Sequence, residues 1–144
     1  MNVRDIGVKE TYCAGPSTSL SEVAAIMKKN DIGIVPVCDG KKLLGVITDR
    51  DIVIRCVAAD VNPKDCNARE FMTSPAKSVS SFTDIEEAAR VMGKEQIRRL
   101  PVVEGGNLVG IISLGDIAIA LNDEDALVAQ TLRKISHAEH ALIA

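Results

Sequence analysis

Polar and apolar positions follow two periods along this chain, one helical and one strand-like, and the two succeed each other twice. Ser19-Leu20-Ser21-Glu22 is a capping-box signature. Val23, Ile26 and Met27 fall on one side of the helix it would start, and Lys28 and Lys29 sit near the negative end of its dipole. Residues 32–37 form a short apolar run holding Pro36, which has no N–H for a sheet ladder and so makes this strand short or ends it at an edge. Asp39-Gly40 reads as a turn, residues 43–47 as a second strand, and residues 49–58 as a second helix. The second half runs through the same order. Asp84-Ile85-Glu86-Glu87 caps a helix to about residue 95, strands fall near residues 99–103 and 108–112, and a short helix follows from Leu114. Segments 3–7 and 68–72 read as helical turns leading into each half. Residues 123–142 are an extra helix, with Leu127, Leu132, Ile135 and Leu142 available to dock it. Each half is thus strand–helix–strand–strand–helix, an α/β arrangement with small mixed sheets covered by helices on one side.

The halves are copies in sequence as well as in pattern. Shifting the chain by 65 residues aligns 3–55 with 68–120 without a gap, and 16 of the 53 positions are identical. Composition alone would give only a few. Arg4/Arg69, Glu22/Glu87, Met27/Met92, Ile32/Ile97, Pro36/Pro101, Gly45/Gly110 and Asp51/Asp116 are identical, while Thr48/Ser113 and Val46/Ile111 keep the chemistry. Copies this short lack independent cores and should pack face to face as one module. The division expected is residues 3–58, a linker at 59–67, residues 68–121, and a terminal helix over 122–144. The most informative stretch is Gly45-Val46-Ile47-Thr48-Asp49-Arg50-Asp51-Ile52, repeated as Gly110-Ile111-Ile112-Ser113-Leu114-Gly115-Asp116-Ile117. A hydroxyl, two spacers and a carboxylate appear twice where a strand feeds a helix.

Composition narrows the function. The chain has 144 residues, 47% hydrophobic, enough for a real core and against disorder. Aromatics are only Tyr12, Phe71 and Phe82, which gives single-stranded nucleic acid little to stack on. A net charge of −3 weighs against a grip on phosphate backbone. No apolar run is long enough for a membrane span, and the N-terminus has no signal-peptide core, so a cytoplasmic location is expected. Cys13, Cys38, Cys56 and Cys66 form no C-x-x-C pair and are most simply reduced there. No nucleophile–base–acid set and no phosphate-binding loop is present, so an enzyme is not expected.

At the doubled strand with its proline (residues 32–36 and 97–101) and the doubled Gly-apolar-apolar-Ser/Thr-x-x-Asp, the chain resembles the CBS domain, named after cystathionine β-synthase. Two tandem copies make a CBS pair, or Bateman module, and the resemblance covers residues 3–120. It implies two repeats related by a pseudo-twofold axis, with adenosine-containing ligands bound in clefts between them. It also implies that the last carboxylate of each motif bonds ribose hydroxyls and the Ser/Thr hydroxyl reaches phosphate. Those residues are Asp51 with Thr48, and Asp116 with Ser113. A carboxylate can accept two bonds from a vicinal diol, and a helix N-terminus offers N–H groups to phosphate. The same residues also suit plain capping, since Asp is favoured in a first helical turn and Ser and Thr are good N-caps.

The resemblance extends to further positions. Arg98 stands where related modules often hold a basic side chain facing phosphate; its repeat mate is Gly33. Arg50 is matched by Gly115. Both arginines are phosphate candidates, because Arg suits bidentate phosphate recognition, and ordinary surface arginines are the alternative. Arg99 alternates to the other strand face and reads as structural. Pro36 and Pro101 are expected to shape a base pocket with Val35 and Leu100, whose apolar side chains suit adenine. Val79 and Ser80 lie where the family commonly adds contacts. The implied function is a regulatory, ligand-sensing module that binds AMP, ADP, ATP or NAD, needs no cofactor, and signals to a protein partner. The implied assembly is a disc-shaped homodimer of CBS pairs, with no nucleic acid and no membrane.

Two other readings stay open. One is a thiol- or metal-responsive stress protein using Cys13 and Cys38. In CBS-like folds the strand carrying Cys13 lies beside the sheet, so the two thiols are expected to approach, and Cys56 and Cys66 are expected to be inert. The other is a nucleic-acid-binding CBS protein, disfavoured by charge. His137 and His140 offer only two metal ligands, and Asp123-Glu124-Asp125 suits helix capping.

Overall fold

The structure is a computed structural model that describes residues 1–121 and 125–143, with terminal-helix side chains described over residues 126–136. The chain forms two compact units with separate cores. One comprises residues 11–76 with 106–108; the other comprises residues 1–10, 77–105 and those from 109 onward.

In the first of these, helix α1 (Leu20–Asn30) starts where the Ser19 hydroxyl accepts the Glu22 N–H at 3.1 Å. It stops at Asp31, which takes a left-handed conformation (φ 52°) and donates its N–H to the Met27 carbonyl. Strands β1 (Ile34–Asp39) and β2 (Lys42–Thr48) pair antiparallel, from Ile34 opposite Thr48 to Asp39 opposite Lys42. Pro36 lies inside β1 and does not end it. The Pro36 carbonyl and the Cys38 N–H both face Ala14, so the missing proline N–H falls on the side away from β2. Helix α2 (Asp49–Ile52) widens over Val53–Val57, where the Ala58 N–H reaches the Val53 carbonyl. The short helix α3 (Ala68–Phe71) is capped by Asn67. Leu20, Val23, Met27, Val35, Val37, Ile47 and Cys56 fill the core.

The second unit repeats this layout. It contains β3 (Val79–Ser80), α4 (Ile85–Glu95), β4 (Arg99–Glu104), β5 (Asn107–Ser113), α5 (Leu114–Ala120) and α6 (Asp125–Ile143). Asp84 caps α4, and Gln96 closes it at φ 60° with its N–H on the Met92 carbonyl, as Asp31 does for α1. The core holds Val3, Ile85, Ala88, Ala89, Met92, Leu100, Val102, Ile112 and Ile117. The strand leading into each repeat is short. It is two residues in β3, where Val79 pairs parallel with Val102, and one bridge at the matching positions Ala14 and Val37. Helix α6 packs on α4 through buried Thr131 and Ile135 and half-buried Leu127. Leu132 stays exposed and does not dock the helix, and Leu142 lies outside the described side chains.

The sequence repeats and the compact units are offset at their leading turns. The turn at Val3–Ile6 packs with the second repeat: the Val3 N–H donates to the Thr83 carbonyl and the Arg4 N–H to the Ser81 carbonyl, each at 2.8 Å. Reciprocally, α3 packs with the first repeat, the Ala68 N–H donating to the Thr18 carbonyl at 2.8 Å. Val3 and Ala68, repeat mates, are each fully buried in the core they join. Burying both apolar ends this way gives each unit a core larger than one repeat could supply.

The same exchange runs along the strands that carry the motif. The Ile111 N–H donates to the Lys9 carbonyl at 3.0 Å, and Val46 and Thr73 exchange two backbone bonds of 3.1 and 2.9 Å. Gly110 and Gly45 sit beneath these crossings. A Cβ on Gly110 would collide with the Lys9 carbonyl and the Val8 side chain, and one on Gly45 would lie 2.6 Å from the Thr73 carbonyl oxygen. Only glycine lets the backbones approach so closely.

Candidate functional site

Each Ser/Thr-x-x-Asp motif folds as a complete capping box. The Thr48 hydroxyl accepts the Asp51 N–H at 3.2 Å while Asp51 Oδ2 accepts the Thr48 N–H at 2.9 Å. Ser113 and Asp116 do the same at 3.1 and 2.9 Å. Capping is therefore real at both places, and it uses one carboxylate oxygen of each aspartate. The other oxygen, Oδ1, takes no part in the box.

Backbone bonds place the residue just before β4 or β1 beside each box. The Leu114 N–H donates to the Arg98 carbonyl at 2.9 Å, and the Asp49 N–H to the Gly33 carbonyl at 3.0 Å. Ser113, Asp116 and Arg98 are thus gathered in one unit, and Thr48, Asp51 and Arg50 in the other. Arg98, Arg50 and Arg99 are all exposed.

Lys9 joins the Asp116 site, and sequence reasoning missed it. Its Nζ lies 3.4 Å from Asp116 Oδ1. Lys9 is far from Asp116 in the chain and belongs to no motif; the contact exists because residues 8–9 lie along β5. The repeat mate of Lys9 is Ser74, whose hydroxyl donates to the Leu44 carbonyl at 2.9 Å instead. Among the described residues no cation pairs with Asp51. Burial pushes the Asp116 carboxyl up, but hydrogen bonds from Ser113 and the Lys9 ammonium more than offset it and hold the group below the ordinary carboxylate range.

The remaining expected residues are placed differently. Val35 and Leu100 are 0% exposed and belong to the two cores, so neither offers side-chain surface to a base. Pro36 and Pro101 are buried within their strands. Val79 is core, and the exposed Ser80 uses its hydroxyl to accept the Phe82 N–H at 3.2 Å in a turn. Period-two alternation identified these strands but did not tell which face meets the core. Among the described residues, an open depression of about 430 Å³ lies elsewhere, lined by Gly93, Gln96, Arg133 and Lys134 of α4, α6 and the residue after α4.

Cys13 and Cys38 do approach: their sulfurs are 3.7 Å apart, both as free thiols. Burial and then the adjacent Cys13 push the Cys38 thiol up to about 12, while Cys13 is exposed. Cys56 and Cys66 are buried, donating to the Val61 and Asn62 carbonyls at 3.3 and 3.4 Å. Among the described residues no group of three or more His, Cys, Asp or Glu side chains is arranged to hold a metal ion. The His137 and His140 side chains lie outside them, as does the Asp123-Glu124-Asp125 segment. No described helix is long and apolar enough to cross a membrane.

Comparison with known proteins agrees with this architecture. The CBS domain matches residues 3–57 and 68–123. The chain is 34% identical over 137 residues to the CBS domain-containing protein YhcV of Bacillus subtilis, covering 94% of this chain and 96% of that one. It is similar to the solved structure of Hypoxic Response Protein I with two coordinated zinc ions, at 38% identity and a TM-score of 0.76, covering 83% of this chain and 98% of that one. It is also similar to CBSX2 in complex with AMP, at 26% identity and a TM-score of 0.72, covering 86% and 98%. Two matched repeats, each carrying a complete Ser/Thr-x-x-Asp box, and relatives aligned over nearly their whole length lead to one conclusion: this chain belongs to the CBS domain family as a tandem CBS pair.

Proposed function

We propose that the protein is a cytoplasmic regulatory module, not an enzyme, that binds an adenosine-containing nucleotide (AMP, ADP, ATP or NAD) at sites centred on Asp116 and Asp51. The carrying observation is the doubled capping box, which commits only one oxygen of each aspartate, so that the other can accept a ribose hydroxyl. Ser113 and Thr48 hold each aspartate in place, and Arg98 and Arg50 supply exposed charge for phosphate. That CBSX2, a structural neighbour, was solved with AMP supports this ligand class. The ligand acts by favouring one arrangement of the protein over another, which a partner then reads. Each unit also exposes apolar side chains on or just beyond the helix that follows its box, Val53, Ile54 and Val57 in one and Ile119 in the other. A second copy of the chain would bury them, which fits a homodimer.

Calorimetric titration tests this reading. Asp116→Ala removes a ribose acceptor, and affinity for AMP or ATP at the second-repeat site should fall about tenfold or more, at on the order of 1 kcal/mol per lost hydrogen bond. Native mass spectrometry of the purified protein, weighing retained ligand and oligomer together, gives the direct check. Unchanged affinity for every adenine ligand would remove Asp116 from the site.

The sulfur contact supports a second reading, a thiol-responsive protein. Cys13 is the one exposed thiol of the four and lies against Cys38. Mass mapping after treatment with hydrogen peroxide should show Cys13–Cys38 as the first bridge to form. Protein in which Cys13 remains free under those conditions would exclude this role.

A further inference from the structure

Among the described residues the Lys9–Asp116 ion pair has no counterpart in the first repeat, and its two halves are built very differently. The Asp116 carboxylate is fixed. Its Oδ2 accepts the Ser113 N–H, and its side chain is 18% exposed. The Lys9 backbone is fixed too, its carbonyl accepting the Ile111 N–H over Gly110. The Lys9 side chain is not: it is 78% exposed. Four methylenes on an anchored backbone give an ammonium that can swing a few ångströms, and an exposed ion pair holds it weakly.

We infer that Lys9 is the specificity-determining residue of the second-repeat site, making it select phosphorylated nucleosides over bare ones. This rests on the reading that Asp116 receives the ribose. The only open oxygen of Asp116 is the one Lys9 faces, so a ribose diol competes with the ammonium for it. A nucleotide compensates by offering its own phosphate to the displaced ammonium, a charge-assisted contact. A nucleoside offers nothing in return and leaves the ion pair opposing it. Lys9 thus works in both directions, excluding ligands that lack phosphate and holding those that carry it. At the first-repeat site Ser74 occupies the matching position with its hydroxyl spent on the Leu44 carbonyl, so that site lacks the part of the discrimination that Lys9 supplies.

The test uses the full chain carrying Asp51→Ala, which leaves the second-repeat site to be read alone. Adenosine and AMP are titrated calorimetrically against this background and against Lys9→Met, Lys9→Arg and Asp116→Ala added to it. With Lys9 present, AMP should bind about tenfold tighter than adenosine. Lys9→Met keeps the aliphatic stem and removes the charge; AMP affinity should fall several-fold, adenosine affinity should hold or rise, and the preference should shrink to the part that Arg98 supplies. Lys9→Arg should restore it. Lys9→Met leaving the AMP-to-adenosine ratio unchanged, with Asp116→Ala weakening binding, overturns the role of Lys9 and keeps the nucleotide reading. Adenosine and AMP both indifferent to Asp116→Ala overturns the reading itself, and the inference with it.

Discussion

Gly110→Ala is expected to destabilise the protein by about 2–4 kcal/mol, and Gly45→Ala by a similar amount, as for other overpacked sites that also lose hydrogen bonds. The new methyl at 110 collides with the Lys9 carbonyl and Val8, and at 45 with the Thr73 carbonyl and the Met72 sulfur. Backbone atoms are among the obstacles in both, so rotamer changes alone cannot relieve the clash. The crossing segment has to lift, breaking the Ile111–Lys9 bond in one unit or the Val46–Thr73 pair in the other. Urea denaturation of both variants against Gly15→Ala provides the check. A Cβ at Gly15 meets only the Thr18 hydroxyl, at 3.6 Å, so that variant should shift stability by less than about 1 kcal/mol. Midpoints for Gly110→Ala and Gly45→Ala that match Gly15→Ala would mean the exchanged segments are not held against the strands.

Leu100→Ala should cost about 2–5 kcal/mol, the range for deleting a fully buried leucine from a core that collapses only partly. Leu100 is 0% exposed among Ile85, Met92, Val102 and Ile112. The prediction separates two roles, because a wall of a base pocket and a core residue respond differently. In protein that remains folded, AMP affinity should stay within about twofold of the parent, since no ligand-facing surface is lost. Thermal unfolding and calorimetry on one preparation read both numbers. A near-normal midpoint with a large loss of AMP affinity would restore Leu100 to the binding surface.

Much of the fold was legible from local chemistry. Ser19 and Asp84, then Thr48 and Ser113, marked helix starts because their side chains satisfy N–H groups that a helix end leaves open. Asp39-Gly40 marked the turn between the first two strands, and the 65-residue offset predicted that whatever one half did the other would repeat. The approach of Cys13 to Cys38 was implied by the resemblance to the CBS domain, in which the strand carrying Cys13 lies beside the sheet.

Three things came only from tertiary structure. Period-two patterning shows that Val35 and Leu100 point to one face of a strand, but not that this face is packed solid. Both side chains went to the cores and not to a pocket. Pro36 could sit within a strand because its missing N–H faces away from β2, a matter of pairing that one chain segment does not reveal. The exchange of leading turns, and with it the meeting of Lys9 and Asp116, depends on backbone bonds between distant residues. Capping, turn geometry and repetition are local and are written within a few consecutive residues. Which buried face meets which, and which charge arrives beside a distant carboxylate, is decided by packing, and so the residues of each motif were determined by sequence while the company they keep was determined by the fold.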